Sequence, residues 1–198
     1  SLKPNLVYAL FKHWLFECIA AGTIKNRMNC LRWWAAKVDR RNVIARSNDF
    51  YGIPDRQFVS NVSKATEVQH TQLQAIENDY VRMSLELQRA FGLRREEAIK
   101  FNPHFADRGD HILLKASWTK GGKERVIPLL SATQRDVLDR AHRLAGTGAL
   151  IPSDKQYIQQ LRIYERHTTQ AGLSRLHGLR HAYAPQRYRD LTGWPSPA

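Results

Sequence analysis

The chain has 198 residues, enough for one large domain or two small ones with modest cores. Lysine and arginine number 31 against 18 aspartates and glutamates, a formal charge of +13 whose natural counterpart is a polyanion. There is no apolar run of about 18 residues and no basic amphipathic stretch with a clean apolar face, so neither a membrane span nor a membrane-surface helix is expected.

Residues 1–12 carry no short apolar core flanked by small residues, so no secretory signal is expected. Cys18 and Cys30 lack neighbouring Cys or His partners and read as reduced, buried thiols of a cytoplasmic protein. Pro4 suits the first turn of a helix that places Leu6, Leu10, Trp14 and Cys18 on one face. Gly22 is expected to end it and Thr23 to cap a second helix carrying Ile24, Met28, Leu31, Ala35 and Val38. Trp14, Trp33 and Trp34 are expected to pack in the core. A loop from Asn42 to Gly52 follows, then a short helix after Pro54-Asp55 holding Phe58, Val59 and Val62.

Further along, the pattern is helical from Thr71 to Phe91, and Gly92 suits a left-handed stop. A helix from Arg95 to Phe101 is closed by Asn102-Pro103. Two extended runs, His111 to Trp118 and Glu124 to Leu129, flank Gly121-Gly122 and read as a hairpin. Ser131 and Gln134 form a capping-box pattern opening a helix to Ala145. Helices follow from Asp154 to Ala171 and from His177, the last expected to kink or restart at Pro185. The fold class expected is mainly α in two domains: residues 1–65 all-helical, residues 66–198 α+β with a small antiparallel sheet.

Three segments carry chemistry. Arg94 follows directly on a helix stop, which fixes where its side chain departs, with Glu97 as a ready ion-pair partner. The hairpin tip offers Lys120 and Lys123 beside two glycines. His177 and Arg180 stand at i and i+3, on one helical face. Brought together, these groups form a phosphate pocket. Phosphoryl transfer spreads negative charge over non-bridging oxygens; arginines bind two oxygens at once, a mobile lysine can protonate a leaving oxygen, and a histidine can share a proton.

The segments Gly92-Leu93-Arg94-x-x-Glu97, the lysine-bearing hairpin ending Val126-Ile127-Pro128-Leu129, and His177-x-x-Arg180-His181 occur in the order and spacing of the phage integrase (tyrosine recombinase) family. Leu31-Arg32-Trp33-Trp34-Ala35 and Phe50-Tyr51-Gly52-Ile53 resemble the core-binding domain of members from phages and integrating mobile elements. The resemblance implies a SAM-like helical core-binding domain joined to a DNA breaking-rejoining catalytic domain. It implies that Arg94 and Arg180 clamp the scissile phosphate, that Lys120 is the general acid, preferred over Lys123, and that His177 assists, with Glu97 and a buried His181 in support. It further implies a 3′-phosphotyrosyl intermediate and no metal or other cofactor. The partner implied is double-stranded DNA, held by a homotetramer on paired sites, in the cytoplasm at the nucleoid, while this chain can remain a monomer in solution. The family continues some tens of residues past the His-x-x-Arg segment to a second His or Trp and then the nucleophilic Tyr. Ending at Ala198, the chain is expected to lack both, with Tyr183 facing the core and neither it nor Tyr188 standing in. Arg27, Lys37, Arg40 and Arg41 are expected to meet DNA phosphates alongside Lys123. The competing readings are a non-catalytic DNA-binding protein on the same scaffold and a metal-dependent nuclease; the second lacks an evident Asp/Glu cluster.

Overall fold

A computed structural model describes residues 3–55 and 63–196. The chain divides into two compact units, residues 1–60 and 61–198, each with its own core. The helix expected around Phe58, Val59 and Val62 lies outside the described residues.

In the first unit, α1 (Pro4–Phe16) opens on Pro4, whose missing N–H costs nothing in a first turn. It buries Val7, Phe11 and Trp14, not the expected Leu6–Leu10 line, which stays exposed. Cys18, at φ 53°, turns the chain into α2 (Ala21–Lys37), so Gly22 falls inside the second helix instead of ending the first. Both cysteines are exposed, contrary to expectation: Cys18 sits in this turn and Cys30 on the outer side of α2. The inner side of α2 carries Ile24, Met28 and Ala35. Arg32 fastens the following loop to α2, donating to the carbonyls of Ala45 (2.9 Å) and Ser47 (3.2 Å) and to Asn48 Oδ1 (2.9 Å). Trp33 and Trp34 are 65% and 45% exposed, which overturns their expected core role. The neighbouring Ala35 faces inward, as its spacing with Ile24 and Met28 predicts.

In the second unit the helical stretch breaks in two: α3 (His70–Gln74) and α4 (Asp79–Phe91). Asn78 Oδ1 accepts from Val81 N at 3.0 Å, a side-chain cap that starts α4 afresh. The packing centre of this unit is α4, which meets α5 (Arg95–Ile99), α7 (Ala132–Ala145), α8 (Tyr157–Gln170) and α9 (Gly178–Thr192). Gln88 on α4 donates to the Tyr164 hydroxyl on α8 at 2.9 Å, and burial pushes that phenol up to about 12. Asn102 caps the short α6 (Pro103–Ala106). Strands β1 (His111–Leu114) and β2 (Arg125–Pro128) pair antiparallel, with Ile112 opposite Ile127 and Leu114 opposite Arg125. The strands are shorter than expected because Trp118 turns inward against Phe101 and Phe105, drawing Ala116–Trp118 into a 3-10 turn.

Ser131 Oγ accepts from Gln134 N at 3.2 Å, as a capping box requires, but Gln134 returns its side chain to Leu130 N (2.8 Å) and to the Ala90 carbonyl (2.7 Å). Helix α9 continues past Pro185, so the chain does not restart there. Pro185 lies on the exposed side, where water can serve the carbonyl that loses its donor.

Gly92 stops α4 at φ 59°, and a Cβ there would lie 2.4 Å from Cδ1 of Tyr183 on α9. Both the left-handed backbone and the contact exclude a side chain. Gly92→Ala is therefore expected to cost about 2–4 kcal/mol, read as a lower urea midpoint at unchanged m-value.

Candidate phosphate-binding site

Arg94 is the N-cap residue of α5, gripped between the left-handed Gly92 with buried Leu93 on one side and the helix on the other. Glu97 sits in the first turn of α5, where the helix dipole favours a carboxylate, and is fully buried. Its Oε2 accepts from the Arg94 backbone N–H at 2.7 Å and from Arg125 Nη2 at 2.7 Å; its Oε1 accepts from Arg94 Nη1 at 2.7 Å. One carboxylate thus orients two guanidiniums from separate elements. Arg180, near the start of α9, donates from Nη1 to the Gly92 carbonyl at 2.8 Å, which brings a third guanidinium to the same corner.

The sequence reading did not single out Arg125. A signal was present: paired residues of an antiparallel sheet point to one face, and Ile127 two positions on faces the core. Arg125 therefore points inward, towards the buried carboxylate. Burial first, and then the neighbouring positive charge of Arg94, lowers its pKa against the pull of Glu97. Burial likewise lowers Arg180 first, followed by Arg125 and Arg94. Both remain cationic, since a guanidinium starts far above neutrality.

His177 is the N-cap residue of α9. Partial burial of its ring lowers its pKa, followed by the charges of His181, Arg180, Arg94 and Lys120. Arg94, Lys120, His177 and Arg180, spread over 87 positions of sequence, thus lie within electrostatic reach of one another. Lys120 and Lys123 are exposed on the hairpin connection, beside Gly121 and Gly122 with φ 92° and 65°. His181 is exposed, which corrects its expected burial: one turn on from His177 it lies on the outer side of α9, and the two rings meet edge-on at 5.1 Å. Tyr183 is half-buried with its ring on Gly92. Its hydroxyl is buried without a full partner, because the nearby Gln134 amide already serves Leu130 and Ala90, and burial raises its pKa. Tyr188 is exposed.

Within the first unit, Arg27, Lys37, Arg40 and Arg41 are all exposed. The Arg27 guanidinium lies over the Trp14 ring at 5.3 Å and the Lys37 ammonium over Trp33 at 5.8 Å. Arg27, Trp34 and Lys37 recur at helical spacing along one exposed side of α2. Among the described residues no helix is long and apolar enough to cross a membrane, and no three His, Cys, Asp or Glu side chains gather as a metal site.

A mainly helical architecture with a small two-stranded antiparallel sheet matches the catalytic-domain fold of an integrase. The family model described as Integrase matches residues 56–186. The chain is similar in structure to a lambda integrase dimer bound to a COC′ core site, with TM-score 0.63 and 15% identity over 97% of this chain and 75% of that one. It is similar to the Tn1549 transposon integrase in complex with circular intermediate DNA, with TM-score 0.58 and 14% identity over 97% of this chain and 74% of that one. It also resembles the XerH site-specific recombinase bound to a palindromic difH substrate, with TM-score 0.59 and 19% identity over 96% of this chain and 62% of that one. No curated protein sequence matches the chain. The chain belongs to the integrase family of tyrosine recombinases.

Removing one partner from a buried ion pair strands the other. Glu97→Gln is expected to cost about 3 kcal/mol in urea unfolding. The double variant with Arg125→Gln should cost less than the sum of the two single changes, since they share one interaction.

Proposed function

We propose that this chain is the DNA-gripping part of a site-specific recombinase that cuts and rejoins duplex DNA through a 3′-phosphotyrosyl intermediate. The observation that carries the reading is the set of three guanidiniums around a single buried carboxylate, with an imidazole and an ammonium alongside. The carboxylate neutralises one positive charge and leaves the corner cationic.

Arg94 and Arg180 hold the non-bridging oxygens of the scissile phosphate, where charge builds up in the transition state. His177 shares a proton with, or donates to, a phosphate oxygen. Lys120, on a connection with two glycines at positive φ, reaches the 5′ oxygen and hands it a proton as the phosphorus–oxygen bond breaks. Lys123 steadies the flanking backbone. The tyrosyl ester stores the energy of the broken bond, so the chemistry needs no cofactor. Arg27, Lys37, Arg40 and Arg41 of the first unit neutralise further phosphates, positioning the protein without reading sequence. The working assembly is a homotetramer on paired sites in the cytoplasm, at the nucleoid.

By itself the chain binds DNA without cleaving it. Tyr183 presents a buried hydroxyl whose pKa is raised, a poor nucleophile, and Tyr188 lies past it on the exposed side of α9. Incubation with a suicide duplex is expected to leave no covalent adduct on a denaturing gel. An adduct that Tyr183→Phe or Tyr188→Phe abolishes would overturn this assignment.

Binding itself is testable by salt titration. Arg94→Ala and Arg180→Ala are each expected to weaken duplex affinity and to shrink the slope of log K against log salt by about one. Proton linkage gives a second measure. His177 titrates below the usual 6.5 in the free protein, and a bound phosphate favours its charged form. Duplex affinity should therefore rise as pH falls below that value, with proton uptake on binding, and His177→Gln should abolish the uptake in calorimetry run in buffers of different ionisation enthalpy.

A further inference from the structure

Residues 64–66, early in the second unit, pack on the start of α9. Thr66 N–H donates to the Gly178 carbonyl at 3.1 Å, and the Thr66 hydroxyl donates to the Arg175 carbonyl at 3.3 Å. The same Arg175 carbonyl accepts from Gly178 N at 2.8 Å. Arg175 itself is held at φ 51°, a left-handed conformation that a residue with a side chain adopts only when its surroundings over-determine it. Gly178 is buried, and a Cβ there would lie 2.0 Å from Thr66 Oγ1 and 2.7 Å from the Lys64 carbonyl. Gly178 directly follows His177 and stands two residues before Arg180.

We propose that residues 63–69 form a strap over this turn and that Thr66 is a positioning residue, holding His177 and Arg180 at the phosphate corner through its contacts with Gly178 and Arg175. The inference rests on the phosphate-site reading. Its physical content is that the strap over-determines a strained turn. The imidazole and the guanidinium are then held in place through two hydrogen bonds and one close contact.

The test is imidazole proton NMR of the full chain, with His177 assigned by His177→Gln. Two readouts are taken: the His177 titration midpoint, and the shift of its resonance on adding inorganic phosphate. The groups facing His177 are Arg94 of α5, Lys120 of the hairpin, and His181 and Arg180 of its own helix, so the midpoint reports first the burial of its ring and then its distance from that cluster. In Gly178→Ala and in the milder Thr66→Val, the midpoint is expected to move back towards the ordinary histidine value. The phosphate response should weaken about tenfold, while Thr66→Ser behaves as the parent and Thr66→Gly in the Gly178→Ala background recovers part of the loss. A midpoint unchanged in both Gly178→Ala and Thr66→Val overturns the strap. If instead the parent shows the depressed midpoint but no phosphate response, the phosphate-site reading fails while the strap is still judged by the midpoint. A melting curve on each variant separates repositioning from simple loss of stability.

Discussion

A carboxylate removed from water is tolerated only when its oxygens are met by donors, and the Glu97 side chain is removed from water entirely. It is met by one backbone N–H and two guanidiniums, all at 2.7 Å. Those donors come from the start of α5 and from the first residue of β2, elements separated by the short α6 and by β1. The ion cluster therefore ties the hairpin to the helix and stops both arginines from wandering. Its charge does not balance, and that imbalance is what gives the corner a use. A buried cluster with no residual charge would be a fold device alone; this one leaves positive potential where α9 brings Arg180 and His177.

Helix α9 contributes through its first turn and little through the rest of its length. Its buried residues are Gly178 and Leu179, and beyond Tyr183 it is largely exposed, Pro185 included. Two glycines set its place. Gly92 leaves room for the Tyr183 ring on one side, and Gly178 leaves room for Thr66 and the Lys64 carbonyl on the other. Close approach of backbone in both places lets Arg180 reach the Gly92 carbonyl. The same packing turns Tyr183 into a wall of the site, with its hydroxyl buried.

The first unit follows different economics. Its core is small, and several large aromatic side chains remain outside it, Trp33, Trp34 and Phe50 among them. Lys37 lies over Trp33, and Arg27 lies over the edge of the core at Trp14. Cations resting on aromatic rings cover apolar surface while keeping their charge available to a polyanion. Basic side chains thus stand on exposed positions of this unit, while in the other three arginines are gathered at a partly buried corner.

Local sequence determined a good deal here. The helix stop at Gly92, the departure of Arg94 beside Glu97, the His177–Arg180 pairing on one turn and the two-stranded sheet follow from backbone preferences and short spacings, and the ordered motifs were enough to place the chain in its family. Periodicity was less secure wherever two faces of a helix were both partly apolar. It chose Leu6 and Leu10 over Val7 and Phe11, and it added Trp33 and Trp34 to a core that takes only Ala35 beside them, because hydrophobicity alone does not say which face finds a neighbour. Tertiary structure alone decided that Arg125 joins Arg94 on one carboxylate, that His181 faces outward, and that Thr66 and Gly178, more than a hundred residues apart, fit against each other. Contacts of that kind depend on where whole elements pack, and no residue on its own element carries a mark of its distant partner.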